Sequence, residues 1–284
     1  MRIITNETKD FRLLPDSMKT LPAADAVTIW YIGQMGLVIR HGALAIVIDP
    51  VLNDLTDAQG HTRRLYPPLF APETADFADY VFCSHNHADH LNMKTLLPIS
   101  KASDKTRFVV PAPVANVLID GGIAPSRIIA AEAGRPIPLS PSDTALPIAA
   151  AHEEYCTDEA GRHYFLGYHF TLGNLRIFHA GDTLATDRLL SDLRDAGSAD
   201  IAFMPINGRD AERHARGIVG NMNAEEAAGL AASLKFGLSI PMHYDMVRGN
   251  TAEPEDFVQA CAALPQQPAN KVLRLGERME VSLI

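Results

Sequence analysis

The sequence predicts an α/β protein built from two mixed β-sheets flanked by helices. Short apolar runs separated by glycine-containing turns fill the first part of the chain. Strand and helix patterns alternate in the later part, and several apolar runs end in a single histidine or aspartate. Two sheets packed face to face, with helices outside, account for this mixture.

The first half is predicted to open with a meander of strands. The first 25 residues have no clear pattern and are expected to be irregular, and the proline-containing segment 50–76 is expected to be a long loop. The predicted strands are Ala26–Ile32, Leu37–Arg40, Ala43–Asp49, Tyr80–Cys83 and Arg107–Val110. The predicted helices are Met93–Ile99 and Ala112–Ile119, the second ending at the glycine pair 121–122.

The second half repeats this style. Asn223 and Glu226 stand in the register of a capping box, which predicts the start of a helix. Further helices are predicted at Thr186–Ala196 and Glu255–Ala263. The predicted strands are Leu146–Ala151, Tyr164–Leu172, Asn174–His179, Ile201–Ile206, Gly237–Pro241 and the alternating segment Val272–Ile284. No linker-like tract divides the chain, so one domain over residues 1–284 is expected.

Composition narrows the class of protein. The formal net charge of -9 argues against a nucleic-acid binder, which normally needs a basic face. No run approaches the roughly 20 apolar residues that cross a bilayer, and no signal peptide is evident. The three cysteines form no C-x-x-C pair and fit a reducing compartment, so a cytoplasmic protein is expected.

The run Ser84–His90 is the most informative stretch. It places His85, His87, Asp89 and His90 directly after an apolar strand. Imidazole and carboxylate together suit zinc, manganese or iron and disfavour calcium or magnesium. A His-rich, solvated loop is the competing interpretation.

Four more polar residues follow apolar runs: Asp49, His152, Asp182 and His243. Taken alone, each fits a buried, hydrogen-bonded polar group or a cap better than a functional residue. Together with the His-rich loop, they supply enough ligands for two metal ions.

In this order, Asp49, the H-x-H-x-D-H block, His152, the Asp182 turn and His243 resemble the five motifs of the metallo-β-lactamase superfamily, over roughly residues 28–244. The resemblance implies an αββα sandwich with two divalent ions, zinc or manganese, at one edge of the sheets. It implies that one ion is bound by His85, His87 and His152, the other by Asp89, His90 and His243, and that Asp182 bridges them. Asp49 would hold the histidine loop through hydrogen bonds.

This ligand set implies hydrolysis. Two cations close together lower the pKa of a shared water and give a metal-bound hydroxide, which attacks a carbonyl carbon or phosphorus. The candidate catalytic residues are Asp89 and Asp182. Asp89 would orient the hydroxide and move a proton.

Three further segments resemble one branch of that superfamily, the L-ascorbate-6-phosphate lactonases. They are Asn207-Gly208-Arg209-Asp210, Gly220-Asn221-Met222 and Pro241-Met242-His243-Tyr244-Asp245, with Trp30-Tyr31-Ile32-Gly33-Gln34 near the start. The resemblance implies a homo-oligomeric enzyme that opens a sugar-like or phosphorylated lactone.

The candidate substrate-binding residues are Asn207, Arg209, Arg213 and Tyr244. Arg209, Arg213 and Arg216 are spaced by four and three, so in a helix they would line one face and suit a phosphate or carboxylate. The alternative is that Arg209 pairs with Asp210 or with a carboxylate at the edge of a sheet, and that Arg213 and Arg216 form a solvated face. A phosphodiesterase on a small or cyclic phosphodiester, and a non-catalytic metal-dependent metabolite sensor, remain alternative functions.

Overall fold

The structure is a computed structural model that describes residues 1–8 and 10–283. The chain folds into two compact units. Unit 1 comprises Met1–Ala131 and Arg274–Ile284, and unit 2 comprises Glu132–Leu273. One hydrolase domain over the whole chain stays a prediction.

The bounds of the elements are as follows. The strands are β1 Arg2–Asn6, β2 Ala26–Gly33, β3 Gly36–His41, β4 Leu44–Ile48, β5 Tyr80–Phe82, β6 Arg107–Pro111, β7 Ile128–Ala131, β8 Ile137–Pro138, β9 Asp143–Ala149, β10 Leu166–Leu172, β11 Leu175–His179, β12 Ile201–Pro205, β13 Leu238–Met242 and β14 Arg278–Ser282. The α-helices are α1 Leu14–Lys19, α2 Met93–Ala102, α3 Ala115–Asp120, α4 Asp187–Ala196, α5 Ala211–Ala215, α6 Ala224–Leu234 and α7 Pro254–Ala263.

Unit 1 is built on an eight-stranded mixed sheet in the order β1-β14-β2-β3-β4-β5-β6-β7. The pairs from β1 to β4 are antiparallel, and those from β4 to β7 are parallel. Ile48 pairs with Phe82, the last residues of β4 and β5. Because parallel strands end at the same edge of a sheet, Asp49 and the His-rich loop leave the sheet side by side.

Every residue of β2 and β4, two strands near the centre of this sheet, is buried. Such continuous apolar runs are typical of strands covered on both faces. The long loop after β4 is tied down by Arg64, which is buried and donates from Nη1 to the carbonyl oxygen of Val51 at 2.7 Å and from Nε to that of Tyr66 at 3.0 Å. One buried guanidinium therefore orders much of the predicted loop.

Unit 2 is built on a six-stranded mixed sheet in the order β13-β12-β11-β10-β9-β8. β11, β12 and β13 are parallel, and β8 to β11 are antiparallel. Helices α4, α6 and α7 surround a buried apolar cluster that includes Phe178, Met204, Leu230 and Phe257. The parallel strands bring the segments after β11, β12 and β13 to one edge.

The predicted class of two mixed sheets flanked by helices is confirmed. The capping box is also present, since Glu226 N donates to Asn223 Oδ1 and Asn223 N donates to Glu226 Oε2. No helix in the described part of the chain is long and apolar enough to cross a membrane.

The expectation of an irregular start is wrong. The first 25 residues contain β1, a 3-10 turn at Phe11–Leu13 and α1. β1 forms because it pairs with β14 from the other end of the chain, a partner that no local pattern shows. The predicted strand Val272–Ile284 shortens to Arg278–Ser282, and Ile284 lies outside the described residues.

Candidate metal centre

The His-rich loop of unit 1 is anchored on Asp49. Asp49 is fully buried and adopts a left-handed backbone with a φ of 42°. Its Oδ1 accepts from Ser84 N at 2.7 Å, and its Oδ2 accepts from Ser84 Oγ at 2.7 Å and from His90 Nδ1 at 2.8 Å. The hydrogen bonds that the sequence predicts between Asp49 and this loop are therefore present.

These bonds fix the protons of two imidazoles. Asp49 is a carboxylate acceptor, so His90 must carry its proton on Nδ1. The Ser84 hydroxyl donates to Asp49 and accepts from His85 Nδ1, at 3.0 Å. Both histidines thus keep their Nε2 lone pairs for coordination, which is the usual way in which partner groups prepare metal ligands.

The imidazole rings of this loop are close together. The ring centroid of His85 lies 4.6 Å from that of His87 and 4.1 Å from that of His90. His90 Nε2 lies 3.7 Å from Asp89 Oδ2. The loop therefore gathers several possible metal ligands into one small region.

The candidate ligands of unit 2 converge on one carboxylate oxygen. Asp182 Oδ2 lies 3.3 Å from His243 Nε2 and 3.7 Å from His152 Nε2. His152 Nδ1 donates to the carbonyl oxygen of Gly220 at 3.1 Å, so its Nε2 also carries the lone pair. All three side chains are buried.

The donor set fits a divalent metal. Two ligands on a tetrahedral zinc ion lie about 3.3 Å apart, because each zinc–ligand bond is about 2.0–2.1 Å. The distances within each unit, 3.3 to 3.7 Å, are close to this value. All seven predicted ligands belong to groups of His and Asp that could hold a metal ion, namely His85, His87, Asp89, His90, His152, Asp182 and His243.

Gln34 lies in the Trp30–Gln34 segment that resembles the lactonases, but it is absent from the predicted site residues, and the structure ties it to the site. Gln34 Nε2 donates to Asp89 Oδ2 at 2.8 Å. Gln34 is fully buried and has a φ of 58°, in the turn between β2 and β3. Two signals in the sequence mark this position: the lactonase-like segment, and an amide side chain between Gly33 and Gly36 in an apolar stretch.

The predicted arginine face is wrong. α5 spans only Ala211–Ala215, so Arg209 precedes the helix and Arg216 caps it. Each guanidinium has a carboxylate partner: Arg209 pairs with Glu226, Arg213 with Asp210 and Arg216 with Glu212. For Arg209, pairing with a carboxylate is the alternative that the sequence left open. The partner of Arg209 is Glu226 rather than the adjacent Asp210.

Two other substrate candidates have partners within the protein. Asn207 is buried and accepts from Asn221 Nδ2 and donates to Asn250 Oδ1, both at 3.0 Å. Tyr244 lies in the apolar cluster and donates to the carbonyl oxygen of Leu273 at 3.2 Å. Their contact with substrate stays a prediction.

A cavity of about 560 Å³ lies in unit 2. Its lining includes three of the candidate substrate residues, Asn207, Arg209 and Arg213, and also Glu225 and Asp256. The volume suits a small molecule. Because the lining carries both signs of charge, it does not favour an anion by itself.

Comparison with known proteins identifies the class. Residues 45–244 match the beta-lactamase superfamily domain, and the chain belongs to this family. The matched range includes residues of both units and every predicted metal ligand. The resemblance to the metallo-β-lactamase superfamily, drawn from the motifs, is thereby confirmed.

Individual relatives agree with this assignment. The chain is 28% identical over 257 residues to a UPF0173 metal-dependent hydrolase of Listeria welshimeri, covering 88% of this chain and 97% of the relative. It is 28% identical over 225 residues to a UPF0173 protein of Pyrococcus abyssi, covering 79% and 86%. Its fold resembles that of Igni18, a metallo hydrolase from Ignicoccus hospitalis, with a TM-score of 0.68, 19% identity, and coverage of 91% of this chain and 100% of that one.

Proposed function

We propose that this metal-dependent hydrolase of the metallo-β-lactamase superfamily opens a sugar-like lactone, as the L-ascorbate-6-phosphate lactonases do. Membership of the superfamily supports hydrolysis, and the name of the Listeria relative supports dependence on metal. The lactone is proposed on the branch motifs.

One observation supports the choice of the lactonase branch. The segments that resemble the lactonases are hydrogen-bonded to one another in unit 2. Gly208 N donates to Met222 O at 2.9 Å, and Asn221 N donates to Gly208 O at 3.1 Å. Ile206 N, immediately before the first segment, donates at 3.1 Å to the carbonyl oxygen of Met242, in the segment that carries His243. Motifs distant in sequence thus form one structural unit, as expected if they act together.

We propose the ligand assignment that the resemblance implies, with zinc or manganese as the metal. One ion would be held by His85, His87 and His152, the other by Asp89, His90 and His243, with Asp182 shared. Two such ions, when bound, lower the pKa of a water molecule and polarise the carbonyl oxygen of the substrate.

The protein's own groups prepare this reaction. Asp49 and Ser84 hold the Nδ1 protons of His90 and His85, which fixes the orientation of both rings. Asp89 is proposed to take a proton from the attacking water and return it to the leaving oxygen of the opened ring. The amide of Gln34 orients the Asp89 carboxylate for that transfer.

A hydrolysis panel tests the proposal. Protein of known metal content, reloaded separately with manganese and with zinc, is assayed on sugar lactones with and without a phosphate group, and on cyclic and bis-aryl phosphodiesters. An Asp182→Ala preparation, purified in parallel, measures contaminating hydrolases.

We expect metal-dependent turnover of lactones, faster than turnover of either phosphodiester. Turnover of phosphodiesters alone would replace the lactonase with a phosphodiesterase. Metal-loaded protein that is inert on the whole panel, yet binds a phosphorylated metabolite, would favour a sensor.

A further inference from the structure

Arg209 joins Glu226 to the backbone of Asn221 in unit 2, and we call these three residues the clamp. Its Nη1 and Nη2 each donate to one oxygen of Glu226 at 2.7 Å, which is a bidentate pair. This pair raises the pKa of Arg209 and lowers that of Glu226, mainly through the shared hydrogen bonds. Glu226 also accepts from Asn223 N at 3.0 Å, so the pair is fixed to the first turn of α6.

The same guanidinium binds the backbone that orients His152. Arg209 Nη1 donates to the carbonyl oxygen of Asn221 at 3.0 Å. The preceding residue, Gly220, accepts the Nδ1 proton of His152 at 3.1 Å. Arg209 therefore holds the peptide next to the one on which the histidine ring is aligned.

Residue 220 must be glycine for this approach. A Cβ at Gly220 would overlap the Cβ of Arg209 and would lie 3.1 Å from the carbonyl oxygen of Gly208. On its other side, Gly220 N donates to Glu153 Oε1 at 3.0 Å. Arg209 and Glu153 thus restrain this short segment from two directions.

We propose that Arg209, held by Glu226, is a positioning residue that aligns His152 for metal binding through the Gly220–Asn221 backbone. The inference rests on the proposed function only in taking His152 as a metal ligand. It assigns to the arginine of the N-G-R-D motif a role other than direct contact with an anionic substrate.

The physical reason lies in the single hydrogen bond that sets the ring of His152. If the Gly220 carbonyl shifts, the Nδ1 proton loses its acceptor, and the ring is free to rotate or change tautomer. Loss of such partner groups lowers metal affinity or activity by about 10- to 100-fold in other metal sites. The effect should fall on the ion bound by His152 and not on the one bound by Asp89, His90 and His243.

The experiment compares wild type with Arg209→Gln, Arg209→Lys and Glu226→Gln. Glu226→Gln keeps an oxygen that can accept from Asn223 N, but it replaces the carboxylate that pairs with Arg209. Arg162→Gln is the matched control, because Arg162 pairs with Asp158 on the surface of the same unit and does not contact the clamp. Two quantities are measured: zinc affinity of each site by chelator competition, and the protonation state of the His152 ring in apoprotein by ¹⁵N NMR.

We expect Arg209→Gln and Glu226→Gln to weaken one of the two zinc sites by about 10- to 100-fold and to remove the Nδ1–H signature of His152. Arg209→Lys should retain part of the zinc affinity and part of the His152 Nδ1–H signal. Arg162→Gln should match wild type in both. Unchanged zinc affinities and an unchanged His152 signal, with only a higher KM for anionic substrates, would overturn the proposal and make Arg209 a substrate contact. If wild type binds no zinc, the proposed function fails, while the NMR signal of His152 still decides whether Arg209 positions the ring.

Discussion

Gln34 donates a 2.8 Å hydrogen bond from its side-chain amide to Asp89 Oδ2, the proposed ligand and proton carrier. Gln34 reaches it from a left-handed backbone conformation, with a φ of 58°. Residues other than glycine adopt this conformation at an energetic cost, and such strained residues cluster at functional sites. The strained backbone and the contact with Asp89 together favour a functional role for the Gln34 amide.

Replacing Gln34 with glutamate should reduce activity and the affinity of the metal site at Asp89 by about 10- to 100-fold. The substitution keeps the shape of the side chain but sets one carboxylate against another. Steady-state kinetics and chelator competition measure the two effects.

Gln267→Glu is the control for this variant. Gln267 also has a left-handed backbone, with a φ of 41°, but its side chain is exposed. If both variants behave alike, the effect at position 34 comes from backbone conformation or charge and not from Asp89.

Asp49→Asn should lower metal affinity by about 10- to 100-fold with little change in side-chain volume. An asparagine amide presents a donor where Asp49 now accepts from Ser84 or His90, so one imidazole loses its fixed proton. Isothermal titration with zinc measures the loss. Asp143→Asn, which neutralises another buried aspartate that is bonded to Ser140 and Gly173, should leave affinity unchanged.

Asp182→Ala should remove metal and activity together. Its Oδ2 lies close to both His152 Nε2 and His243 Nε2, so the change removes a proposed ligand of both ions. We expect affinity to fall by more than about 100-fold, beyond the loss typical of partner groups. Metal analysis beside kinetics checks this, with Asp195→Ala in helix α4 as control; full metal content in an inactive Asp182→Ala variant would restrict Asp182 to a role in chemistry.

His169 should make the protein less stable in mild acid. Burial is the main cause that lowers its pKa below the ordinary value, and its Nε2 donates to the Gly197 carbonyl oxygen at 3.0 Å. Below about pH 6.5, His169 is therefore protonated in the unfolded chain but still neutral in the folded chain. Because the unfolded chain binds the extra proton, the free energy of unfolding falls as the pH drops toward the folded pKa of His169.

Urea unfolding of metal-free protein at pH 7.5 and pH 5.5 measures this dependence. The loss of stability between the two values should be smaller in His169→Gln than in wild type. A variant of the exposed His61, His61→Gln, should keep the wild-type dependence. Equal losses in all three proteins would show that His169 does not contribute.

The proposed ligand residues could be singled out from the sequence because their signals are local. An apolar run that ends in histidine or aspartate marks a strand exit, and the H-x-H-x-D-H spacing is dense enough to stand out. The structure indeed places Asp49 and the His-rich loop after the adjacent strands β4 and β5.

Partners distant in sequence could not be found in this way. β1 pairs with β14 across nearly the whole chain, and Arg209 selects Glu226 although Asp210 is adjacent. The capping box predicts only a local contact between Glu226 and Asn223, whereas in the structure the Glu226 carboxylate accepts from both Asn223 N and Arg209. Gln34 was hidden for the same reason, since its partner Asp89 lies 55 residues away.

The most direct test of the account is a metal titration of apoprotein, in which the rate of lactone opening is followed as zinc or manganese is added. The account predicts no rate without metal and a rate that rises to a plateau at two equivalents per chain. A rate that is independent of added metal, or no lactone opening at any metal ratio in folded, metal-loaded protein, would contradict it.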